Sequence, residues 1–430
     1  MFDFDAAAIR ERTNADPAFR LDARYWNARI GFELGAESYE LRIRDGQVEE
    51  FARVASVSGD CDIRISGAAE SWEKLLQAVP PPPYDDLFFG GAAVGFRVSG
   101  DVVDAVGPYY GALQDFVAVL RQARSGPAPA RPVPDARRKF DSAVGRYLYL
   151  PVDGVEYRVY FEESGDGPVP LLLQHTAGAD GRQWRHVLED PDYRRLCRML
   201  AYDLPYHGKS VPPTGVRWWE SEYLLTRDFL MKTVVGIAHA LELDDPVYMG
   251  CSIGGHLAPD LALYHPDEFA AVIGINAGLA TPAARGNKTG ESWYHPRVGS
   301  DWKASAMLGN TAPTSPEAYR RETGWVYSQG GPPVLTGDVF YYATDHDLTA
   351  EQARRIDTSK VAVHLLTGEY DPLAQPGGTD ELARNIPGCE YHLIPGMGHF
   401  GPSENPEDFK PYLLPILEKL AAARPRASGG

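Results

Sequence analysis

Residues 246–255 read Pro-Val-Tyr-Met-Gly-Cys-Ser-Ile-Gly-Gly, and this stretch decides the fold. The residues before the first glycine are short and apolar, as in a buried strand, and those after the last have the leucine spacing of a helix. Between them lies Ser252, flanked by Gly250 and Gly254. So tight a bend needs neighbours without a Cβ, because a side chain would press on the elements that it joins. The pattern predicts a serine exposed on a strand–turn–helix bend, although a glycine-rich turn without chemistry would share it.

Two residues far downstream are the partners that a nucleophilic serine needs. Asp371 follows a predicted strand at 361–366, and His399 lies in the loop beyond the predicted last strand at 391–394. A serine hydroxyl is a poor nucleophile unless a histidine accepts its proton and an acid orients that histidine. Ligands meet an open α/β sheet at the carboxyl ends of its strands, where both residues are expected. The order Ser252, Asp371, His399 therefore predicts a catalytic triad.

With these residues in place, the sequence resembles the α/β-hydrolase family over about residues 140–422. Two further motifs carry the resemblance: Gln-His-Thr-Ala-Gly at 174–178, and Asp-Leu-Pro-Tyr-His-Gly-Lys-Ser at 203–210. Tyr206 departs from the family pattern, which has a glycine at that position. The resemblance implies an α/β-hydrolase fold, in which helices flank a mostly parallel eight-stranded sheet.

The same resemblance implies an oxyanion hole formed by the backbone N–H groups of Ile253 and Ala177. Thr176 replaces the usual glycine of that loop. His175 is expected to shape the loop without transferring a proton, and His207 to brace the 203–210 turn. The predicted strand at 271–275 ends in Asn-Ala-Gly, where some family members carry the acid; the missing carboxylate favours Asp371.

Composition limits the classes of function. The chain has 430 residues, long enough for two domains, with 44% hydrophobic and 23% charged residues, as in a globular protein. The net charge of −17 argues against nucleic acid and anionic membranes as partners and favours uncharged substrates. The four scattered cysteines fit reduced thiols. Neither a signal peptide nor an apolar run of membrane-spanning length is evident, so a cytoplasmic protein without a membrane span is expected.

A proline-rich linker at 125–139 divides the predicted domains. Before it, residues 1–124 predict a small α+β domain. The phrases at 61–76 and 96–101 make this domain resemble the sterol-carrier-like lipid-binding fold. Two roles stay open for it: pairing two subunits into a homodimer, or covering the mouth of the active site. The hydrolase core is expected at 140–278 and 348–422, and a disordered tail at 423–430.

An insertion at 279–347 predicts a cap over the active site, because it is too long for a simple connection. It is rich in aromatic residues, which suit an apolar substrate pocket or the packing of the cap on the core. Residues 344–347, Thr-Asp-His-Asp, have metal-ligating types, but no second cluster accompanies them, which favours a solvated loop and no metal. The candidates for contacting substrate are Thr176, Trp293, Trp302, Trp325 and Tyr341.

The sequence therefore predicts a serine hydrolase that cleaves a carboxylic ester of an apolar or aromatic small molecule through an acyl-enzyme, without a cofactor. Ser252 would attack, His399 would accept the proton, and Asp371 would hold the imidazolium. A carbon–carbon bond hydrolase of a ring-cleavage product, a thioesterase or an amidase would use the same residues. From another class, a non-catalytic lipid- or small-molecule-binding protein stays open, although the intact triad argues against it.

Overall fold

The computed structural model describes residues 2–133, 139–280, 295 and 297–424. Contacts divide the chain into two compact units. The amino-terminal unit comprises Met1–Pro132 and Lys288–Glu317, and the larger unit comprises Val133–Asn287 and Ala318–Gly430. The first boundary lies within the predicted linker. The other two, at 287/288 and 317/318, do not coincide with predicted boundaries, because both fall inside the predicted cap.

Strands and helices are numbered in chain order over the described residues. The strands are β1 Ala28–Leu34, β2 Glu37–Arg44, β3 Gln47–Val54, β4 Ile63–Gly67, β5 Arg97–Gly100, β6 Val144–Val152, β7 Val155–Ser164, β8 Val169–Gln174, β9 Cys197–Tyr202, β10 Val247–Cys251, β11 Ala271–Ile275, β12 Ala362–Gly368 and β13 Glu390–Ile394. The helices are α1 Ala6–Ala15, α2 Pro17–Asp22, α3 Ala69–Leu75, α4 Phe89–Ala93, α5 Tyr110–Ser125, α6 Arg185–Glu189, α7 Pro191–Leu196, α8 Arg227–Ala240, α9 Ile253–Tyr264, α10 Ser300–Leu308, α11 Glu317–Tyr327, α12 Pro332–Phe340, α13 Ala350–Ala353, α14 Pro376–Asn385, α15 Gly401–Glu404 and α16 Pro406–Ala422.

The amino-terminal unit is built on a five-stranded sheet in the order β3-β2-β1-β4-β5. The central pair, β1 and β4, is parallel, and the other pairs are antiparallel. Aromatic side chains fill the core against α5; Phe116, for example, lies 5.7 Å from Phe32 and 5.4 Å from Phe51 between ring centroids. An α+β domain is therefore present before the linker. Its resemblance to a lipid carrier stays a prediction.

The predicted cap, 279–347, is not one body. Its middle part carries α10, which belongs to the amino-terminal unit, whereas α11 from Ala318 onward and α12 belong to the larger unit. Glycine makes the packing of α10 on α5 close: a Cβ at Gly111 of α5 would lie 2.8 Å from Oγ of Ser305. The pattern of aromatic residues does not reveal this division, because it marks burial without saying against which element.

The larger unit is built on an eight-stranded sheet in the order β13-β12-β11-β10-β8-β9-β7-β6. The strands from β13 through β9 pair in parallel, and β7 and β6 join them in antiparallel fashion. Strand β10 is buried at every residue, as expected where helices cover both faces of a parallel sheet. This is the predicted α/β-hydrolase fold, and it brings the carboxyl ends of β8 and β10–β13 to one edge. Over the described ranges, no helix is long and apolar enough to cross a membrane.

Candidate active site

Ser252 lies at the junction of β10 and α9 with φ 57° and ψ −112°. Residues other than glycine rarely adopt such a backbone, and it persists where the surroundings enforce it. Close packing enforces it here. A Cβ on Gly250 would lie 2.5 Å from the backbone of Gly254, and one on Gly255 would lie 2.1 Å from the carbonyl oxygen of Ile275. The glycines are therefore required to hold the serine at this bend.

Asp371 and His399 form a buried pair. Nδ1 of His399 lies 2.7 Å from Oδ2 of Asp371. The other carboxylate oxygen accepts the N–H groups of Leu373 and Ala374 at 2.8 and 3.0 Å. Because both of its oxygens are engaged, Asp371 orients the imidazole with Nδ1 toward the acid. Nε2 is then the ring nitrogen that can exchange a proton with another group.

The sheet brings the three predicted residues to the same edge. Ser252 follows β10, Asp371 follows β12, and His399 follows β13, with β11 between β10 and β12. Sγ of Cys251 donates to the carbonyl oxygen of His399 at 3.3 Å. The residue preceding the serine is thereby tied to the main chain of the histidine.

Asn276 contacts the histidine loop, a role that was not predicted; the sequence indicated only that no acid stands at this position. Its Nδ2 donates to the carbonyl oxygen of His399 at 2.5 Å, and its Oδ1 accepts the N–H of Gly368 at 3.3 Å. The residue has φ 59°, a left-handed conformation that asparagine tolerates better than most residues. The sequence feature that could have indicated this role is an asparagine directly after a buried strand. It bridges the loop of the histidine and the strand that precedes the acid.

The loop after β8 begins beside the serine bend. Gln174 at the end of β8 is paired with Gly250 of β10, so the two chains leave the sheet side by side. The N–H of Thr176 donates to Oε1 of Gln183 at 2.8 Å, and that of Gly178 to Oδ2 of Asp338 at 2.7 Å. Neither Gln183 nor Asp338 was singled out from the sequence. The lone carboxylate of Asp338 within the apolar run 334–340 was a usable signal.

Within the described residues, the backbone N–H groups of Ala177 and Ile253 are open to another acceptor. Among the residues that the structure describes, the N–H of Ala177 has no acceptor, although its neighbours on both sides do. Ile253 is the first residue of α9, where N–H groups have no acceptor within the helix. The positive end of the helix dipole adds to the attraction for an anion at that point.

The structure places the predicted substrate-contacting residues in different environments. Thr176 is buried, and its Oγ1 hydrogen-bonds the hydroxyl of Tyr327 on α11. Trp325 is 64% exposed, so it does not enclose a pocket, and that prediction is wrong. Trp302 lies on α10, in the amino-terminal unit. Trp293 lies outside the described residues.

Tyr341 is also wrongly predicted as a pocket residue. It is fully buried, and its hydroxyl donates to Oδ2 of Asp260 on α9 at 2.7 Å. His346 completes this cluster, with Nδ1 2.9 Å from Asp260 and Nε2 3.0 Å from the carbonyl oxygen of Gly278. Residues 344–347 are only in part the solvated loop that we expected, because Thr344 and Asp347 are exposed whereas His346 is buried against α9. Over the described part of the chain, no group of three or more His, Cys, Asp or Glu side chains could hold a metal ion.

His175 is buried and held as the neutral tautomer. Its Nε2 accepts the N–H of Leu204 at 3.0 Å, so its Nδ1, 2.8 Å from the carbonyl oxygen of Thr176, carries the proton. Burial, with a smaller contribution from the neighbouring His207, lowers the pKa of His175 to about 4. A side chain with both nitrogens engaged in this way suits a structural role in the loop.

Comparisons with known proteins show which family and which solved fold the chain resembles. A model of the alpha/beta hydrolase family matches residues 171–410, more than half of the chain. The 2-hydroxy-6-oxononadienedioate/2-hydroxy-6-oxononatrienedioate hydrolase of Burkholderia vietnamiensis is 23% identical, with 65% of this chain and 97% of that protein covered. Epoxide hydrolase 3 of Mus musculus is 22% identical, with 65% and 81% covered. A thermophilic esterase from Thermogutta terrifontis shares the fold with a TM-score of 0.55 at 20% identity, over 64% of this chain and 99% of that one.

Proposed function

The chain belongs to the α/β-hydrolase family, and on that premise we propose that it is a serine hydrolase that cleaves a carboxylic ester of an apolar or aromatic small molecule. One observation carries the proposal: the 2.7 Å contact between Asp371 and Nδ1 of His399, at the sheet edge that also carries the strained Ser252. An arrangement of serine, histidine and aspartate of this kind catalyses acyl transfer.

The proposed reaction has two halves. Nε2 of His399 takes the proton of the Ser252 hydroxyl while Oγ attacks the ester carbonyl carbon. The oxyanion that forms accepts hydrogen bonds from the N–H groups of Ile253 and Ala177, and the imidazolium returns its proton to the leaving alcohol. Water, deprotonated by His399, then attacks the acyl-enzyme, and the carboxylic acid leaves while Ser252 recovers its proton.

An acyl substrate fits this site better than an epoxide does. If a serine opened an epoxide, it would form an alkyl ether, which has no carbonyl for activated water to attack. Turnover would stop at that adduct. Ser252 at the bend therefore supports a substrate with a carbonyl group, although one relative is named an epoxide hydrolase.

Aromatic rings near His399 support an apolar substrate. The ring of Phe400 lies 4.9 Å from that of His399, and the ring of Tyr327 lies 5.5 Å from that of Phe400, between centroids. Both rings are buried, so they make the surroundings of His399 apolar, and apolar surroundings with a few converging polar groups are typical of sites for small molecules. This support concerns polarity alone and leaves the identity of the ester open.

A carbon–carbon bond hydrolase is the second candidate. It is favoured by the sequence relative from Burkholderia vietnamiensis, which this chain covers over 97% of its length. A dienoate with a carbonyl at C6 would be attacked at that carbonyl, and a stabilised carbanion would replace the alcohol as leaving group. A thioesterase or an amidase would also use the same residues, and its substrate would differ from an ester only in the leaving group.

Two measurements test the proposal. A fluorophosphonate probe should label the wild-type protein at Ser252 and leave Ser252→Ala unlabelled; an unlabelled wild type would instead support a binding protein without catalysis. Rates on p-nitrophenyl acetate, butyrate and benzoate should then be compared with the rate on a 2-hydroxy-6-oxo-dienoate. We expect kcat/KM to be higher for at least one ester. A tenfold preference for the dienoate would transfer the assignment to carbon–carbon bond hydrolysis.

A further inference from the structure

Asp338 joins the insertion to the loop that carries Ala177. It lies on α12, is fully buried, and is surrounded by three hydrogen-bond partners. Oδ2 lies 2.7 Å from the N–H of Gly178 and 2.7 Å from Nε2 of His207, and Oδ1 accepts the hydroxyl of Tyr223 at 3.0 Å. A buried carboxylate is costly unless its oxygens are satisfied, and here both are.

Gly178 is the residue directly after Ala177, and the α12 segment encloses it. The glycine has φ 67°, and a Cβ there would lie 2.9 Å from the side chain of Leu335 on α12. A Cβ on Gly330, shortly before α12, would lie 2.8 Å from the carbonyl oxygen of Gly178. Gly178 therefore packs closely against residues of the insertion and has little room to turn.

The charge of Asp338 is balanced by His207. Nδ1 of this histidine lies 3.0 Å from the carbonyl oxygen of Pro205, and Nε2 faces the carboxylate, so the geometry suits an imidazolium that donates from both nitrogens. Burial lowers the pKa of His207, but the charge of Asp338 and the hydrogen bond to it outweigh burial and raise that pKa above its ordinary value. Asp338 thus accepts the N–H of Gly178 beside a cationic partner, and a charged acceptor binds a backbone N–H more strongly than a neutral one.

We propose that Asp338 is a positioning residue for the oxyanion hole: by binding the N–H of Gly178, it orients the preceding peptide so that the N–H of Ala177 points to the oxyanion. The inference rests on the proposed function and deepens it, because it makes the insertion a structural part of the catalytic site. The group acts through the loop and does not touch the reacting atoms.

The test compares two variants that break the same ion pair. Asp338→Ala removes the acceptor of Gly178, whereas His207→Gln leaves the carboxylate on Gly178 and removes the cation. Both should lower the melting temperature. Loss of an oxyanion donor typically lowers kcat by about 10²–10³-fold. Because Asp338→Ala would misdirect such a donor, we expect it to lower kcat on p-nitrophenyl butyrate by roughly 10–100-fold, with KM within about threefold. His207→Gln should lower kcat by less than about threefold.

A control and a second variant complete the design. Asp345→Ala likewise removes a carboxylate acceptor of a backbone N–H in the same insertion, that of Arg227 at 2.5 Å, and kcat should not change. If Asp338→Ala does not fold, Asp338→Asn, which keeps the shape, should lower kcat by about 3–10-fold. An aryl boronic acid, which mimics the tetrahedral state, should bind the Asp338 variants more weakly by the same factor as kcat falls.

The possible outcomes are distinct. Equal kcat losses in Asp338→Ala and His207→Gln, or unchanged kcat in a folded Asp338 variant, would overturn the inference and leave the proposed function standing. If wild type is labelled by the phosphonate probe but hydrolyses none of the esters, phosphonylation rates of the same variants replace kcat and decide the question. If wild type is not labelled at Ser252, the proposed function and this inference fall together.

Discussion

The side-chain amide of Asn276 donates to the carbonyl oxygen of His399 at 2.5 Å, so the main chain of the proposed catalytic base is fixed by a residue 123 positions earlier. The same oxygen accepts Sγ of Cys251 at 3.3 Å. Together these contacts connect the histidine to the ends of β10 and β11. The position of His399 is therefore set by the sheet as well as by Asp371.

Removal of the Asn276 amide should slow the reaction without weakening substrate binding. Asn276→Gly keeps the left-handed backbone accessible and removes the donor, so a loss in rate cannot be attributed to backbone strain. We expect kcat on p-nitrophenyl butyrate to fall about tenfold, with KM within a factor of about two. Unchanged kcat in Asn276→Gly would show that the ring is placed without the Asn276 amide.

Asp371→Asn should lower kcat by roughly 10⁴-fold, because an amide favours the wrong tautomer of His399. The matched control is Asp203→Asn. Asp203 is equally buried, but its oxygens accept the N–H groups of Gly181 and Lys209 at 2.8 and 2.7 Å. That variant should keep kcat within about tenfold while losing stability. The reverse pattern, with Asp203→Asn inactive but thermally normal, would identify Asp203 as the acid.

His175 should make the protein sensitive to acid. Its pKa is lowered from an ordinary 6.5 to about 4 in the folded state. A depressed pKa adds stability that is complete above pH 6.5 and is lost as the pH falls toward 4, in total about 3 kcal/mol. His175→Gln does not titrate in this window, so the difference in unfolding free energy between wild type and variant should shrink between pH 7 and pH 4.5. Urea unfolding at several pH values measures it; a constant difference would exclude this role.

The three residues of the proposed triad could be predicted from the sequence, because chemistry restricts both the residue types and their order. Ser252 needs glycines around it, Asp371 ends a strand, and His399 follows the last strand. The supporting residues were missed because they act across the chain: Asp338 binds a peptide 160 positions before it, and Asn276 one 123 positions after it. No local pattern encodes contacts of that range.

Aromatic residues of the insertion were predicted by type, but their direction was not predictable. Trp325 and Tyr327 lie two positions apart on α11, which places them on opposite sides of a helix. Trp325 is 64% exposed and Tyr327 is 3% exposed, in contact with Thr176. The helix phase that separates them depends on packing.

The rate of Ser252→Ala on an activated ester tests the central claim most directly. The structure gives Ser252 a strained backbone and glycine neighbours that a side-chain truncation leaves intact, so the variant should fold with an unchanged melting temperature. We expect kcat to fall by about 10⁴-fold or more, as typically found when a triad nucleophile is removed. A folded Ser252→Ala protein that retains more than about a tenth of the wild-type rate would contradict the account, because another group would then perform the attack.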